Sequence, residues 1–451
     1  MKQFFIDDAY VRGQWEKNVF ISVDDNGLID QITPDARKDS EALHIKGIVI
    51  PSMPNLHSHA FQRAMAGLSE VAGNPNDSFW TWREQMYHLV ERLTPEQVHA
   101  IAAYLYVDML KGGYTQVAEF NYLHHDVQGR PYKDDDMSEQ LKAAAKYTGI
   151  GQTLLPVLYS FSGFGDQPAH SSQKRFIQTT EQYLSQFETL SGNQESLQNS
   201  GICFHSLRAV NVQQIQEILD ALPDGLPVHI HISEQLKEVN DCLEWCGQRP
   251  VEYLCHNMNV NERWNLIHAT HLCPDEVTAI TQRGAVAGIC TTTEGNLGDG
   301  IFPMVDFLQQ NGRWGVGSDS HVSLSAIEEL RWLEYGQRLI HHKRNCLVTS
   351  ENKSVGEVLW TQAAKGGAQA CGLRLGVLDT GYRADWLELK PDEWMSCLPR
   401  EQWLNRWLFA GEKSQIDNVY VAGCKVISNG HHPLEEKLSS DFRVVMKNLI
   451  R

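Results

Sequence analysis

Two histidines one residue apart, His57 and His59 in the stretch MPNLHSHAFQR, are the first residues whose types and spacing could support chemistry. On an extended segment, side chains at positions i and i+2 point to the same side, so both imidazoles could bind one metal ion. Alone, such a pair more often marks core or surface histidines. His231 in HIHISEQ and Asp319 in GSDSH follow apolar runs later in the chain. Three imidazoles and one carboxylate suit zinc, with iron(II) or manganese(II) as alternatives, so these four residues are the predicted metal ligands.

Glu234 and His268 are the residues predicted to do acid–base work beside that metal. Glu234 stands three residues after His231, where a strand is expected to give way to a helix. A carboxylate there could take a proton from a metal-activated water and pass it to a leaving group. The alternative is a glutamate that only stabilises a helix dipole. His268 in HATHL could orient the water or polarise the bond that breaks, whereas His229 and His271 are predicted to be structural. The other histidine pairs are predicted to be solvated, namely His124-His125, His341-His342 and His431-His432.

Eight apolar, strand-like runs alternate with helical segments and would position these side chains. The runs cover residues 47–50, 116–120, 152–159, 202–207, 227–232, 265–270, 285–290 and 313–318. Helices are predicted from Thr94-Pro95-Glu96 to Gly112-Gly113 and at 137–147, 212–222 and 274–282. Eight β-then-α units favour a (β/α)8 TIM barrel over an open doubly wound sheet, because no glycine-rich phosphate turn follows the first run. Active sites of such barrels lie at the carboxyl ends of the strands, where the metal-binding and catalytic candidates fall.

The segments on either side of the barrel carry a different, β-rich pattern. In residues 1–48, a β-like run at 18–23 is followed by Asp-Asp-Asn-Gly, a strong hairpin-turn signal. The catalytic barrel is expected over residues 49–375. Residues 376–451 contain β-like runs at 376–380, 384–389 and 419–427, and then a terminal helix. We expect the two flanking segments to pair into one small β-sandwich.

Composition and charge exclude several classes of protein. The chain has 451 residues, 42% of them hydrophobic, and a formal net charge of −17. This charge repels phosphate backbones, so nucleic acid is not an expected partner. Ten scattered cysteines without a CxxC pair indicate reduced thiols in a cytoplasmic protein. No signal-peptide pattern and no apolar stretch of about 18 residues is present, so no membrane association is expected. The barrel surface could support a homodimer, although no stretch of sequence indicates one.

The order of these motifs resembles the metal-dependent amidohydrolases. The HxH pair, the histidines of the fifth and sixth runs and Asp319 after the eighth follow the pattern of that superfamily. The HxxE spacing from His231 to Glu234 resembles its deaminase branch, in which one metal suffices. ICFHSLRAV has no lysine, unlike the branch in which a carbamylated lysine bridges two metals. Within the deaminase branch the chain is most similar to the formimidoylglutamate deiminases, over nearly its whole length. The motifs are PNLHSHAFQRAMAG, SFWTWRE, EFNYLHH, HSLRAV, HIHISEQ and HATHL.

The resemblance implies a function and a set of site residues. The implied reaction is hydrolysis of N-formimidoyl-L-glutamate to N-formyl-L-glutamate and ammonia, in histidine degradation. The implied roles are metal binding by His57, His59, His231 and Asp319, catalysis by Glu234 and His268, and substrate binding by Gln62, Arg83, Tyr122, His205 and Arg208. A protein of charge −17 needs local cations to hold a dicarboxylate, and Arg83 and Arg208 could supply them. Either arginine alone is also typical of a surface salt bridge. Ser52 departs from the glycine expected there, which affects a turn.

Two other functions are compatible with the sequence. The first is a related deaminase of a purine, a pterin or another amidine-containing heterocycle, since FWTWREQMY could line an aromatic pocket. The second is a scaffold protein built on an inactive barrel. A scaffold would be expected to have lost metal ligands, and this chain retains all four together with Glu234.

Overall fold

The computed structural model describes residues 1–38, 40–71, 77–132, 136–192 and 194–450, which build two β-sheets and the helices around them. The strands in these residues are β1 (Lys2–Val11), β2 (Gln14–Val23), β3 (Ile29–Thr33), β4 (Leu43–Pro51), β5 (Met53–Ser58), β6 (Tyr114–Asn121), β7 (Gly151–Leu158), β8 (Gln198–Ser200), β9 (Ile202–Ser206), β10 (Val228–Ile232), β11 (Trp264–His268), β12 (Val286–Ile289), β13 (Arg313–Val316), β14 (Trp386–Leu389), β15 (Ile416–Val421) and β16 (Cys424–Ile427).

The helices surround the second sheet and extend to the carboxyl end of the chain. They are α1 (Phe79–Val90), α2 (Pro95–Lys111), α3 (Met137–Thr148), α4 (Thr180–Gly192), α5 (Val212–Ala221), α6 (Leu236–Cys246), α7 (Pro250–Asn257), α8 (Pro274–Arg283), α9 (Thr291–Leu297), α10 (Met304–Gln309), α11 (Ala326–His341), α12 (Val355–Ala370), α13 (Glu393–Cys397), α14 (Trp403–Ala410) and α15 (Glu435–Leu449), with short 3-10 helices at Ala60–Met65, Ser171–Gln173, Arg400–Gln402 and Lys413–Gln415. The predicted helices agree with α2, α3, α5 and α8 to within a residue or two. Thr94 caps α2 as expected, because its side chain accepts a hydrogen bond from the backbone of Gln97.

The predicted barrel is confirmed by the order and direction of the central strands. The strands β5, β6, β7, β9, β10, β11, β12 and β13 are neighbours in that order, and all of these pairs are parallel. The last strand returns to the first, since Ser58 and Asp319 form a parallel bridge and the Asp319 N–H donates to the carbonyl of His57 at 3.1 Å. Two predicted metal ligands therefore lie at the seam that closes the barrel.

The first barrel strand was predicted at the wrong place. Residues 47–50 belong to β4, which pairs with β1 and β14 in the other sheet, and the barrel begins with β5. The chain changes sheets at Ser52, whose N–H donates to Asp385, whereas the N–H of Met53 donates to Gly113. Because β4 and β5 form one nearly continuous apolar stretch, the pattern could not reveal where one sheet ends and the other begins.

The second sheet combines both ends of the described chain, in the order β16-β15-β14-β4-β1-β2-β3. Its side chains contribute to one apolar cluster, in which Phe4 meets the rings of Trp386 and Tyr420 edge-on. The predicted pairing of the two terminal segments is thus confirmed, and they form one continuous sheet. The predicted strand at 376–380 is wrong: these residues form a bend and a turn, and Gly376 has a φ of 76° that an extended strand does not use.

Specific hydrogen bonds connect the terminal sheet to the barrel. The Trp360 indole on α12 donates to the carbonyl of Pro51 at 2.9 Å, and Arg383 donates to the side chain of Gln116 in β6 at 2.8 Å. Helix α15 packs on α2. Among the residues that the structure describes, we find no helix that combines the length and apolarity needed to cross a membrane.

Candidate active site

The predicted functional side chains gather around one cavity at the carboxyl ends of the barrel strands. The cavity is lined by His59, Gln62, Phe79, Trp82, Arg83, Met86, Tyr87, Tyr122, Tyr159, Phe176, His205, Arg208, His231, Glu234, His268, Leu297 and Asp319. His57 is fully buried beside it, within β5. The residues that were predicted to form the site are therefore neighbours in the structure, although the first barrel strand was predicted too early in the chain.

Four of these side chains converge on one point. The Nε2 atom of His231 lies 3.1 Å from Nε2 of His57 and 3.3 Å from Nε2 of His59. Asp319 Oδ1 lies 3.4 Å from each of the latter two nitrogens. Nitrogen ligands that are 2.0–2.1 Å from a tetrahedral zinc ion lie about 3.3 Å apart, so the donor spacing fits such an ion. The same side chains form the buried groups His57–His59–Asp319 and, with His268, His57–His231–His268.

The protonation of these histidines also fits a metal site. The Nδ1 atom of His59 lies 2.8 Å from the carbonyl of Phe120, and that of His231 lies 2.9 Å from the carbonyl of His205. Nδ1–H therefore donates in both rings, and the facing Nε2 atoms present lone pairs. Burial lowers the pKa of His57 to about 3 and lowers the pKa of His59 and His231 as well. Lone pairs that face each other in a buried space repel, and a cation between them removes that repulsion.

Asp319 is held in its charged form. Burial alone would raise its pKa, but the hydrogen bond and charge of His57, together with the charges of His268 and His59, lower it well below the usual range. An ionised, buried carboxylate beside three imidazoles completes a donor set of one anion and three nitrogens.

Glu234 lies on the turn between β10 and α6, beside the converging donors. The preceding residue, Ser233, has a φ of 52°, and Glu238 accepts hydrogen bonds from the N–H groups of Ser233 and Glu234 at 3.2 and 3.1 Å. Burial raises the pKa of Glu234 to about 7, although the nearby His268 opposes this rise. A carboxyl group with a pKa near neutrality can both accept and donate a proton at the pH of a cell.

His268 ends strand β11 and faces the same space. Its Nε2 atom lies 3.7 Å from Glu234 Oε1 and 3.8 Å from Asp319 Oδ2. Burial would lower the pKa of His268, but the surrounding carboxylates, Glu234 foremost, outweigh it and raise the pKa. The ring is therefore placed to hydrogen-bond an atom between Glu234 and the converging donors.

Two arginines, Arg83 and Arg208, line the same cavity as the converging donors. Arg83 lies on α1 with its guanidinium 4.6 Å from the ring centre of Trp80 and 5.6 Å from that of Tyr87. Arg208 follows β9 and is 9% exposed. The Nε atoms of both arginines are buried and make no hydrogen bond to any residue that the structure describes. Buried guanidinium N–H groups that lack a partner in the described part of the chain are suited to donate a hydrogen bond to an anionic group.

The remaining predicted substrate-binding residues also line the cavity. Gln62 donates to the Tyr122 hydroxyl at 3.1 Å, and its Oε1 atom is buried without a partner in the described part of the chain. The ring of His205 lies 5.1 Å from that of His231, and burial lowers the pKa of His205 well below its ordinary value. Arg63 does not reach the cavity, because it binds the carbonyl of His321 and the carboxylate of Asp108.

Two aromatic side chains of the site, Tyr159 and Phe176, were not predicted from the sequence. Both line the cavity, and Gln173 donates to the Tyr159 hydroxyl at 2.7 Å. Tyr159 lies just beyond β7, so the rule that functional groups follow barrel strands could have found it. Phe176 lies in a long loop and carried no signal of its own.

Buried carboxylates around the site were also missed as supports. Glu119 on β6 accepts hydrogen bonds from Ser58 Oγ and from the N–H of Ala60, both at 2.6 Å, and so fixes the segment that carries His57 and His59. Burial raises the pKa of Glu119 to about 7. Its position at the end of the second strand was visible in the sequence, but its partners were not.

The solvated histidine pairs were predicted only in part correctly. His341, His342 and His431 are exposed, whereas His124, His125 and His432 are buried. The Nε2 atoms of the buried three bind the carbonyls of Val157, Ile177 and Thr148. These carbonyl partners lie far away in the sequence, so a local polar pattern could not reveal them. His229 and His271 bind the carbonyls of Ala370 and Asp299, in keeping with a structural role.

Comparisons with known proteins define the class to which this fold and site belong. The model of the amidohydrolase family matches residues 48–426, and the chain therefore belongs to the amidohydrolase family. The family is one of metal-dependent hydrolases, and the buried histidine and aspartate groups described above supply donors for a metal.

Individual proteins of known name or structure show which members of the family the chain resembles. The chain is 53% identical to the formimidoylglutamate deiminase of Pseudomonas aeruginosa, over 100% of both chains. It is 24% identical to a 5-methylthioadenosine/S-adenosylhomocysteine deaminase of Bacillus cereus, over 92% of this chain and 90% of that protein. A crystal structure of an amidohydrolase from Brucella melitensis has a TM-score of 0.94 at 40% identity and covers 100% of both chains.

Proposed function

We propose that the protein is a deiminase that hydrolyses N-formimidoyl-L-glutamate to N-formyl-L-glutamate and ammonia. One observation carries the proposal: two arginines, whose buried Nε atoms have no partner among the residues that the structure describes, line the same cavity as a cluster of potential metal donors. Such a cavity suits a small molecule with carboxylates at one end and a hydrolysable group at the other. The full-length identity of 53% to a formimidoylglutamate deiminase supports the same substrate and a role in histidine degradation.

His57, His59, His231 and Asp319 would hold one divalent metal, and we propose zinc, with iron(II) and manganese(II) as alternatives. When bound, the metal supplies Lewis acidity that makes water nucleophilic near neutral pH. These residues fit the role because three imidazole nitrogens and one carboxylate oxygen converge in a buried space.

The side chains around this cluster then carry the proton transfers. Glu234 accepts a proton from water as the water oxygen bonds to the formimidoyl carbon. His268 donates a hydrogen bond that orients the attacking oxygen. Glu234 next delivers its proton to the terminal nitrogen of the adduct of the protonated amidine, and the carbon–nitrogen bond breaks. Ammonia leaves as the attacking oxygen loses its remaining proton to solvent and forms the formyl C=O bond. The pKa of Glu234, raised to about 7, suits both halves of this transfer.

The opposite wall orients the substrate. Arg83 and Arg208 bind its carboxylates by charge-assisted hydrogen bonds, and Gln62, Tyr122 and His205 complete the contacts. Fixed carboxylates place the formimidoyl carbon against Glu234 and His268, which converts a chance collision into a positioned attack.

The alternative substrate is a purine, a pterin or another amidine-containing heterocycle. Trp82, Tyr87 and Phe176 favour it, because aromatic rings could stack on a planar ligand. The two arginines argue against it, since a neutral ring would leave the buried Nε–H groups of both without an anionic partner.

A substrate panel tests the proposed function. We expect ammonia release from formimidoylglutamate, less from formimidoylaspartate, and none from guanine or adenosine. Formamide should be absent, because the bond that breaks is the one to the terminal nitrogen. Formamide and glutamate as products would overturn the deiminase assignment, and turnover of guanine or adenosine alone would favour the heterocycle.

Metal analysis tests the proposed ligands separately from activity. The purified protein should contain about one equivalent of divalent metal per chain, most of which should be lost in His59→Ala and Asp319→Ala. His271→Asn, which alters a histidine outside the cluster, should keep its metal. Unchanged metal content in both ligand variants would contradict the assignment.

We place the enzyme in the cytoplasm, where its ten free cysteines would remain reduced thiols. A homodimer stays a hypothesis that light scattering of the purified protein would test.

A further inference from the structure

Glu294 is a buried carboxylate that directly touches a side chain of the proposed reaction. It lies on α9, in the segment that follows β12, and is 2% exposed. Its Oε1 atom lies 3.3 Å from Nδ1 of His268. The same oxygen accepts the N–H of Cys290 at 2.9 Å, so the backbone at the start of α9 fixes the carboxylate. Glu294 is not among the residues that line the cavity.

His268 needs such an anchor because its own backbone leaves regular structure. It is the last residue of β11, and both His268 and Ala269 have positive φ, at 67° and 47°. A side chain at the end of a strand can turn about its Cα–Cβ bond unless a partner holds it. Glu294 is the carboxylate on the Nδ1 side of the ring, whereas Nε2 faces Glu234 and Asp319.

We propose that Glu294 is a positioning residue for the deamination: it accepts the Nδ1 proton of His268 and thereby directs Nε2 at the attacking oxygen. The inference rests on the proposed function, since it names the support of a residue that acts in that reaction. This hydrogen bond fixes two properties of His268. It sets the orientation of the imidazole ring, and it keeps a proton on Nδ1.

The competing explanation is that Glu294 only anchors helix α9. The structure offers a matched control for this explanation in Glu329 of α11, which is fully buried. Its carboxylate accepts hydrogen bonds from the Thr291 hydroxyl at 2.8 Å and from the N–H of Thr292 at 3.0 Å. Glu329 thus anchors the same end of the same helix, but it has no contact with His268.

Two substitutions of Glu294 separate the role of the acceptor oxygen from the role of the charge. Glu294→Gln keeps an oxygen at the same reach and removes the charge, so kcat should stay within about threefold of the original. Glu294→Asp keeps the charge but withdraws the oxygen by one methylene, so kcat should fall by about 10–100-fold. KM should change by less than about threefold in both, because Glu294 does not reach the carboxylate-binding wall.

The Glu329 control tests whether anchoring of α9 alone explains a loss of activity. Glu329→Gln should lower the melting temperature and leave kcat within about threefold, since it weakens α9 without moving His268. Equal loss of kcat in Glu329→Gln and Glu294→Asp would overturn the proposal, as would an Asp variant that is more active than the Gln variant.

Crystal structures of the two Glu294 variants provide a readout that does not depend on the substrate. The His268 imidazole should keep its position in Glu294→Gln and rotate away in Glu294→Asp. An unmoved ring in the aspartate variant would overturn the proposal even if formimidoylglutamate proved not to be the substrate. Failure of the unmodified protein to release ammonia would instead count against the proposed function alone.

Discussion

Replacing Glu234 by glutamine is expected to lower kcat for ammonia release by about 10²–10⁴-fold, which is the contribution typical of general acid–base catalysis. Glutamine occupies nearly the same volume and can still form hydrogen bonds, but it cannot accept a proton from water or deliver one to the leaving nitrogen. The loss should fall on kcat rather than on KM, because Arg83 and Arg208 remain to bind the substrate. Initial rates of ammonia release over a range of substrate concentrations measure both constants.

The control for this variant lies on the helix that follows Glu234. Glu244→Gln changes an exposed glutamate of α6 and should leave kcat unchanged. Metal content should also be unchanged in Glu234→Gln, since Glu234 is not among the four proposed ligands. Full activity in Glu234→Gln would refute the proton transfer proposed for this carboxylate, whereas loss of metal would reassign it as a ligand.

The second large effect concerns the carboxylate-binding wall. Arg208→Met should lower kcat/KM for formimidoylglutamate by about 10–150-fold, the equivalent of 1.5–3 kcal/mol for one charge-assisted hydrogen bond. Arg83→Met should act in the same direction, and a substrate that makes two bonds to the arginine would lose more. Methionine fills the space of the arginine stem, so the effect should report the lost charge rather than a cavity.

Substrate analogues and a third arginine control for indirect effects. N-formimidoyl-L-glutamine lacks the distal charge, so one of the two arginine variants should discriminate against it less than the unmodified enzyme does. Arg63→Met should leave kcat/KM unchanged, because Arg63 binds Asp108 and a backbone carbonyl outside the cavity. If neither Arg83→Met nor Arg208→Met impaired turnover, a neutral heterocycle would become the better substrate.

The barrel could be predicted from sequence because its evidence is repeated. Eight apolar runs, each followed by helical signals, limit the number of folds far more than any single run does. The error in the first strand shows where this evidence ends. In the stretch that includes residues 47–58, two strands of different sheets follow each other across Ser52, and both are buried. Burial and apolar composition describe each strand equally well, and only the pairing partners distinguish them.

The site was predictable where chemistry limits the choice of residue. Metal binding requires histidine and carboxylate side chains, and the barrel rule locates them, so His57, His59, His231 and Asp319 could be brought together before any coordinates were known. Supporting residues lack such a limit. Glu294 and Glu238 are glutamates on helices, where glutamate is common, and their roles depend on backbone N–H groups whose positions come only from the folded chain.

The pairing of β4 with β14 has a consequence for how the protein is made. During synthesis β4 leaves the ribosome early, long before β14, and until then its second edge has no partner strand. An open apolar edge of this kind favours aggregation with other nascent chains. Only one residue separates β4 from β5. The segment that carries His57 and His59 therefore follows directly on a strand whose pairing is completed only when β14 has been synthesised. A chain that stops before residue 386 would therefore lack a partner for the strand next to its own metal-binding segment.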